Sequence, residues 1–188
     1  QVSFTDKTNE AGLAYVQQVP LNTFCSPPIT FENLLDRSHR VMTGGIAIGD
    51  YNNDGWDDVF ATRMTNTDIL FHNNGDGTFV KITTGSQSTD AFYSRNADWI
   101  DIDNDGFQDL FVANETNQNE NFYKNNADET FTSLQIPNLL TSNGNSTSSS
   151  WEDIDNDGDF DVFIANYGNQ NNFLFINSGD GNFTKVIN

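Results

Sequence analysis

The sequence holds a single cysteine, two histidines and only eight basic side chains in 188 residues. Each shortage removes a class of function. Cys25 alone permits no intrachain disulfide framework and no cysteine-based zinc site, and it reads as a small buried apolar residue. His39 and His72 are too few and too isolated for a catalytic or zinc constellation, and His72 aligns with Lys124 and Ile176 as a surface position on a strand. Eight Lys and Arg stand against 27 Asp and Glu, for a net charge of −19. With no basic stripe to displace counterions, nucleic acid is excluded as a partner and anionic lipid is repelled. No apolar run approaches the ~20 residues with which a helix crosses a bilayer, so membrane insertion is not expected. No segment keeps a helical period past two turns except ITFENLLDR from Ile29, which leaves an all-β chain.

What is abundant is periodic. A hydrophobic content of 36% with 13% aromatics is enough for a packed core, and the 16 Phe and 27 Asn recur at a fixed spacing. GDYNNDGWDDVFATR from Gly49, IDIDNDGFQDLFVAN from Ile100 and EDIDNDGDFDVFIAN from Glu152 align, their first aspartates Asp50, Asp101 and Asp153 lying 51 and 52 residues apart. A second block follows each: NNGDGTF from Asn73, NNADETF from Asn125 and NSGDGNF from Asn177. Similarity at two separated places with one period marks an internal repeat.

Each unit reads as four short strands. The first ends in the acidic loop, and the second is DVFATR, DLFVAN or DVFIAN. The third is ILFHN, NFYKN or FLFIN, and a tight turn leads to the fourth, TFVKIT, TFTSLQI or NFTKVI. Such runs, rich in β-branched and aromatic residues and bounded by Asn, Asp and Gly, are strands. Four strands per repeat of about 50 residues is the arithmetic of a propeller blade. Phe60, Phe111 and Phe163 share one register, as do Phe79, Phe131 and Phe183, and both sets are expected in the blade core.

The expected architecture is therefore all-β: β-propeller blades of four antiparallel strands, three repeats plus an N-terminal clasp strand. The blades span 44–93, 94–146 and 147–188. Residues 1–13, with FTDKT from Phe4, form the outer clasp strand, and 14–43 a non-repeating connection. Three blades do not close a ring, since propellers have about four or more. The chain thus reads as part of a larger propeller, completed by remaining blades of the same chain or by further copies.

The acidic loops carry the chemistry. Counted from its first aspartate, the first loop places Asp50, Asn52, Asp54 and Asp58 at positions one, three, five and nine. The second places Asp101, Asp103, Asp105 and Asp109 there, and the third Asp153, Asp155, Asp157 and Asp161. Alternate side chains on a tightly curled loop converge, and the glycine at position six permits the sharp bend. Clustered carboxylates repel one another unless a cation neutralises them. A hard oxygen donor set without Cys or His selects Ca²⁺, about three ions in all, with Mg²⁺ or Mn²⁺ as lesser fits. Position seven, Trp56, Phe107 or Asp159, varies in kind and is expected to offer its backbone carbonyl. An EF-hand needs a bidentate Glu at position twelve between helices, whereas Ala61, Val112 and Ile164 stand there inside alternating strands. Asn52 in place of Asp makes the first loop the weakest.

At these residues the chain resembles the FG-GAP and VCBS repeats, the calcium-loop blades of integrin α-subunits and many secreted bacterial propellers. The pattern D-x-[DN]-x-D-G-x-x-D-[VL] is met at all three loops. NNGDGTF and the opening F-x-D-x-T-x-x-A-G-L, from Phe4 to Leu13, look like propellers that carry an ASPIC/UnbV segment. The resemblance covers residues 1–13 and 44–188. It implies an extracellular or cell-surface location and metal-stabilised blades. Departures are Ala127 and Glu129 at turn glycines of the second repeat, and Arg63 where the others have Asn114 and Asn166.

Few residues are left over. Asp98, Glu115 and Glu120 form no catalytic constellation, and the sequons at Asn114, Asn145 and Asn182 are expected by chance in so Asn-rich a chain. The stretch from Ala14 to Met42 and the polar loop from Gln135 to Ser150 are where rigid β scaffolds place binding function. The expectation is a non-enzymatic module that presents loops to a protein or glycan ligand, as in adhesion. The alternatives are the propeller portion of a larger secreted enzyme and a structural spacer.

Overall fold

In the computed structural model, residues 10–12, 44–64, 66–140, 143–179 and 181–186 are described. Three four-stranded sheets follow one another along the chain. The first joins β1 (Ile46–Gly49), β2 (Asp58–Ala61), β3 (Ile69–Asn73) and β4 (Phe79–Ile82). The second joins β5 (Ser94–Ile100), β6 (Asp109–Asn114), β7 (Asn121–Asn125) and β8 (Phe131–Leu134). The third joins β9 (Ser146–Glu152), β10 (Asp161–Asn166), β11 (Phe173–Asn177) and β12 (Phe183–Lys185). Every pairing is antiparallel between sequence neighbours. Short β-branched and aromatic segments between Asn, Asp and Gly turns have no other partner as near, so each unit closes as a meander. The described helix is α1 (Ser86–Thr89), which packs against β3 and β8. The expected all-β blades are present.

The repeat extends to register. Phe60 faces Leu70, Phe111 faces Phe122 and Phe163 faces Leu174 across equivalent pairs. Because side chains alternate across a strand, the middle sheet serves two cores. Leu110, Val112 and Tyr123 turn toward Ala47, Phe60 and Leu70 of the first sheet. Phe111, Ala113 and Phe122 turn toward Val162, Ile164, Phe173 and Phe175 of the third. Trp151 meets Phe111 edge-on, with ring centroids 5.1 Å apart.

The same rule corrects one expectation. Phe60 and Phe111 are fully buried because the following sheet covers them, whereas Phe163, in the same register, is 42% exposed. No described element lies on its side of the third sheet. Of the second aromatic set, Phe131 and Phe183 are buried and Phe79 is half-buried.

A second correction concerns Gln135–Ser150, expected as a polar loop: Ser146 to Ser150 are the larger part of β9. This strand carries no aliphatic side chain, so its composition hides it. It is held by pairing with β10 and by hydroxyl bonds to the neighbouring sheet. Ser149 Oγ donates to Asp98, and Ser146 Oγ to Glu120. Glu115 is buried against Arg95 in an ion pair. Asp98 and Glu120 thus bond from the second sheet to the third, while the Glu115–Arg95 pair lies within the second.

The clasp Phe4–Thr8 and the whole connection 14–43, with Cys25 and His39, lie outside the described residues. Of that end of the chain, Glu10–Gly12 is described as a turn, and the carbonyl of Ala11 accepts from the Phe79 amide at 2.7 Å.

Candidate metal centre

All three acidic loops connect the first and second strands of a sheet, and they fold by one hydrogen-bond scheme. The first-position carboxylate closes the loop on itself. Asp50 accepts from the amides of Asp54 and Gly55 at 3.1 and 2.8 Å. Asp101 accepts from Asp105 and Gly106 at 3.0 and 2.9 Å, and Asp153 from Asp157 and Gly158 at 3.1 Å each. The fifth-position carboxylate accepts from the seventh amide: Asp54 from Trp56, Asp105 from Phe107, Asp157 from Asp159. Two residues per loop must enter the left-handed region. The glycine is one, with φ of 90°, 88° and 98° at Gly55, Gly106 and Gly158. The other is the fourth residue, Asn53, Asn104 or Asn156, with φ between 56° and 63°. Asn tolerates that region best among residues with a side chain. Sequence reasoning passed over these asparagines, although their recurrence at one position was the available signal.

The ninth aspartate does the most. Asp58, Asp109 and Asp161 are each 0% exposed. One oxygen accepts from the loop's second amide, of Tyr51, Ile102 or Ile154, at 3.3, 3.2 and 2.8 Å. The other accepts from the amide at the end of the third strand, of Asn73, Asn125 or Asn177, at 2.8, 2.7 and 2.8 Å. A buried carboxylate therefore pins three chain segments to one point.

Around that point the carboxylates gather. Oxygens of Asp101, Asp103 and Asp109 lie within 4.8 Å of one another, as do those of Asp153, Asp155 and Asp161. The first loop has Asn52 at the third position and, among the described residues, brings no such trio together. Asp105 and Asp157 stand outside the trios. Position seven is set by packing: the Trp56 ring lies over Gly75, and the Asp159 carboxylate over Gly179. Phe107 shares a crevice with Ala127.

The electrostatics are those of crowded, partly buried carboxylates. Burial pushes the Asp109 carboxyl up to about 6, opposed by its two amide bonds and reinforced by Asp105 and Asp101. Asp58 is raised by burial too, against the bonds from Asn73 and Tyr51 and the nearby His72. Asp155 is raised by desolvation and by Asp157 and Asp161. The donors are all oxygens, and a hard dication among them would reverse these shifts. The residues present fit Ca²⁺.

Two cationic or ionisable neighbours were not anticipated here. His72, expected on the surface, lies half-buried with Nδ1 3.2 Å from Asp58 Oδ1, though out of hydrogen-bonding geometry. Lys124 pairs with Asp103 and reaches Asp105 at 3.5 Å.

The opposite ends of the sheets repeat another device. The residue before each third strand accepts from an amide at or just past the end of the second: Arg63 to Asp68 at 2.6 Å, Asn114 to Glu120 at 2.6 Å, Asn166 to Asn172 at 2.9 Å. Asn114 is fully buried, so its sequon is not reachable for glycosylation. Burial pushes Asp68 up to about 7. The folded state therefore holds a proton that the unfolded chain releases near pH 4, and stability falls as pH rises from about 4 to about 7. Asp68→Asn should flatten that slope and raise stability at pH 8 by on the order of 2–4 kcal/mol. Urea titrations of both proteins in saturating calcium at pH 5 and pH 8 check it.

Against known proteins, the FG-GAP-like repeat family matches residues 50–112 and 101–164. The chain belongs to the FG-GAP-like repeat family. It is 34% identical over 71 residues to cartilage acidic protein 1 of Xenopus tropicalis, a match that covers 37% of this chain and 11% of that protein. Among solved structures it is similar to an Agrocybe aegerita lectin, described for its recognition of non-reducing terminal N-acetylglucosamine. The TM-score is 0.51 at 17% identity, over 77% of this chain and 38% of the lectin chain. That likeness shows a shared β fold. The chain spans a minor part of the length of either relative.

Proposed function

We propose that the chain is a calcium-binding set of propeller blades from an extracellular or cell-surface protein, holding loops rigid for a protein or glycan ligand. The observation that carries the calcium reading is the pair of aspartate trios built around a wholly buried ninth carboxylate. A buried, partly desolvated carboxylate beside two others is costly unless a cation joins them. Asp50, Asn52, Asp54 and Asp58 would hold an ion in the first loop, with the carbonyls of Trp56, Phe107 and Asp159 as further donors in the three loops. The ion supplies charge neutralisation and clips the first strand of a blade to the second and third. Extracellular fluid, where calcium is abundant, suits such a device, and the family and the lectin-like fold neighbour support a binding module.

The faces at the two ends of the array support further blades, in the same chain or in other copies. Ile46 and Ile48 are 57% and 66% exposed on the first sheet, and Phe163 is exposed on the third. The small share of each relative that the chain spans favours a longer parent protein, in which a catalytic domain or a spacer role is the second reading.

Isothermal titration of chelator-treated protein with calcium chloride should return about three sites per chain. Heats equal to those of dilution would overturn the calcium reading. Binding of the calcium-loaded chain to a glycan array supports the ligand-presenting role, and a blank array directs the search to protein partners.

A further inference from the structure

The third strand of each sheet passes its acidic loop at one register position, held by three different side chains. His72 pairs with Val80, Lys124 with Thr132 and Ile176 with Thr184. The position is next to the loop because the following residue, Asn73, Asn125 or Asn177, gives its amide to the ninth aspartate. Lys124 alone brings a full positive charge. Its ammonium is ion-paired with Asp103, a member of the second trio, and lies 3.5 Å from Asp105. Ile176 brings no charge to the third loop.

The second and third loops carry the same residues at positions one, three, five and nine, so their donor sets do not distinguish them. The strand residue does. We propose that Lys124 is a tethered cation that balances the carboxylates of the second loop when no metal is bound and must swing out before calcium enters. The two loops then fill in order, the third first. The inference rests on the calcium reading above.

The physics is competition between like charges. Calcium takes Asp103 only if Lys124 gives it up, so filling the second loop costs that ion pair, and an ammonium left in place would repel the dication in a water-exposed setting. At a dielectric near that of water this penalty is about tenfold in affinity. The side chain of Lys124 is 33% exposed, so it has a path into solvent. The seventh residue offers a rival cause, since Asp159 adds charge to the third loop where Phe107 adds none. Reciprocal substitutions on the strands separate the two.

The amides of Gly106 and Gly158, each bonded to the first aspartate of its loop, report the loops one at a time in a nitrogen–proton correlation spectrum during calcium titration. In the native chain Gly158 should reach its midpoint at about tenfold lower calcium than Gly106. Lys124→Met, which keeps the aliphatic stem, should lower the Gly106 midpoint about tenfold and leave Gly158 in place. Ile176→Lys should raise the Gly158 midpoint by a similar factor. If the Gly106 midpoint is the same in Lys124→Met and native chains while both amides respond to calcium, the tethered-cation proposal is overturned and the calcium reading stands. If neither amide moves in any of the three proteins, the calcium reading falls and this inference with it.

Discussion

Calcium added to the chelator-treated protein is expected to raise its melting temperature by roughly 10–20 °C, and chelator should reverse the gain. A ligand bound only by the folded state stabilises it by mass action, about 2.7 kcal/mol for each site at a hundredfold excess over Kd. Two loops with complete aspartate trios, filled to that extent, contribute about 5 kcal/mol, and each kcal/mol moves the midpoint of a chain this size by about 2–4 °C. The effect is large because the metal-free state carries a cost. Asp109, pushed up to about 6 by burial and by Asp101 and Asp105, resists ionisation until a dication compensates it.

The same shift gives the calcium effect a pH dependence with a definite sign. Below about pH 6 the metal-free second loop holds a proton on Asp109, and calcium must displace it. The calcium-dependent rise in melting temperature should therefore shrink as pH falls from 7 to 5. Differential scanning calorimetry with calcium and with chelator at both pH values measures it. Superimposed melting curves at pH 7 would sink the idea that these loops bind the ion.

The strands and the acidic loops between them were legible in the sequence because three copies of one pattern constrain each other. A single Asx-rich bend is a turn and no more, but Asp50, Asp101 and Asp153 recurring with a glycine five residues on fix both the bend and its register. Asp58, Asp109 and Asp161 were legible as candidate ligands but not as the buried clip they form. That role depends on amides of the third strand 15 or 16 residues further along, at Asn73, Asn125 and Asn177.

What stayed hidden is what depends on neighbouring sheets. Ser146–Ser150 reads as the end of a polar loop because the strand's stability comes from Ser149 on Asp98 and Ser146 on Glu120, contacts to residues of the preceding sheet. Phe163 reads as core because its register equals that of Phe60 and Phe111, and register alone does not say whether another sheet follows. His72 and Lys124 read as surface positions because period-two alternation assigns a face of the strand. It does not say that the end of that face adjoins the acidic loop.

Those two layers of the site separate experimentally at the ninth and fifth aspartates. Asp161→Ala should destabilise the protein by about 3–5 kcal/mol even in chelator, since it leaves the amides of Ile154 and Asn177 without their acceptor. The site is fully buried, so water does not replace the lost carboxylate without opening the loop. Asp157→Ala should cost less than about 1 kcal/mol in chelator, because Asp157 is exposed and the Asp159 amide it releases turns to solvent. In calcium the order narrows, because Asp157→Ala also forfeits part of the metal's contribution while Asp161→Ala has little left to lose. Urea titrations of the two variants, with calcium and with chelator, give four numbers that test the division. A loss for Asp161→Ala in chelator as small as about 1 kcal/mol would overturn the role of the ninth carboxylate as a clip. The hydrogen bonds to Ile154 and Asn177 would then contribute little to the blade.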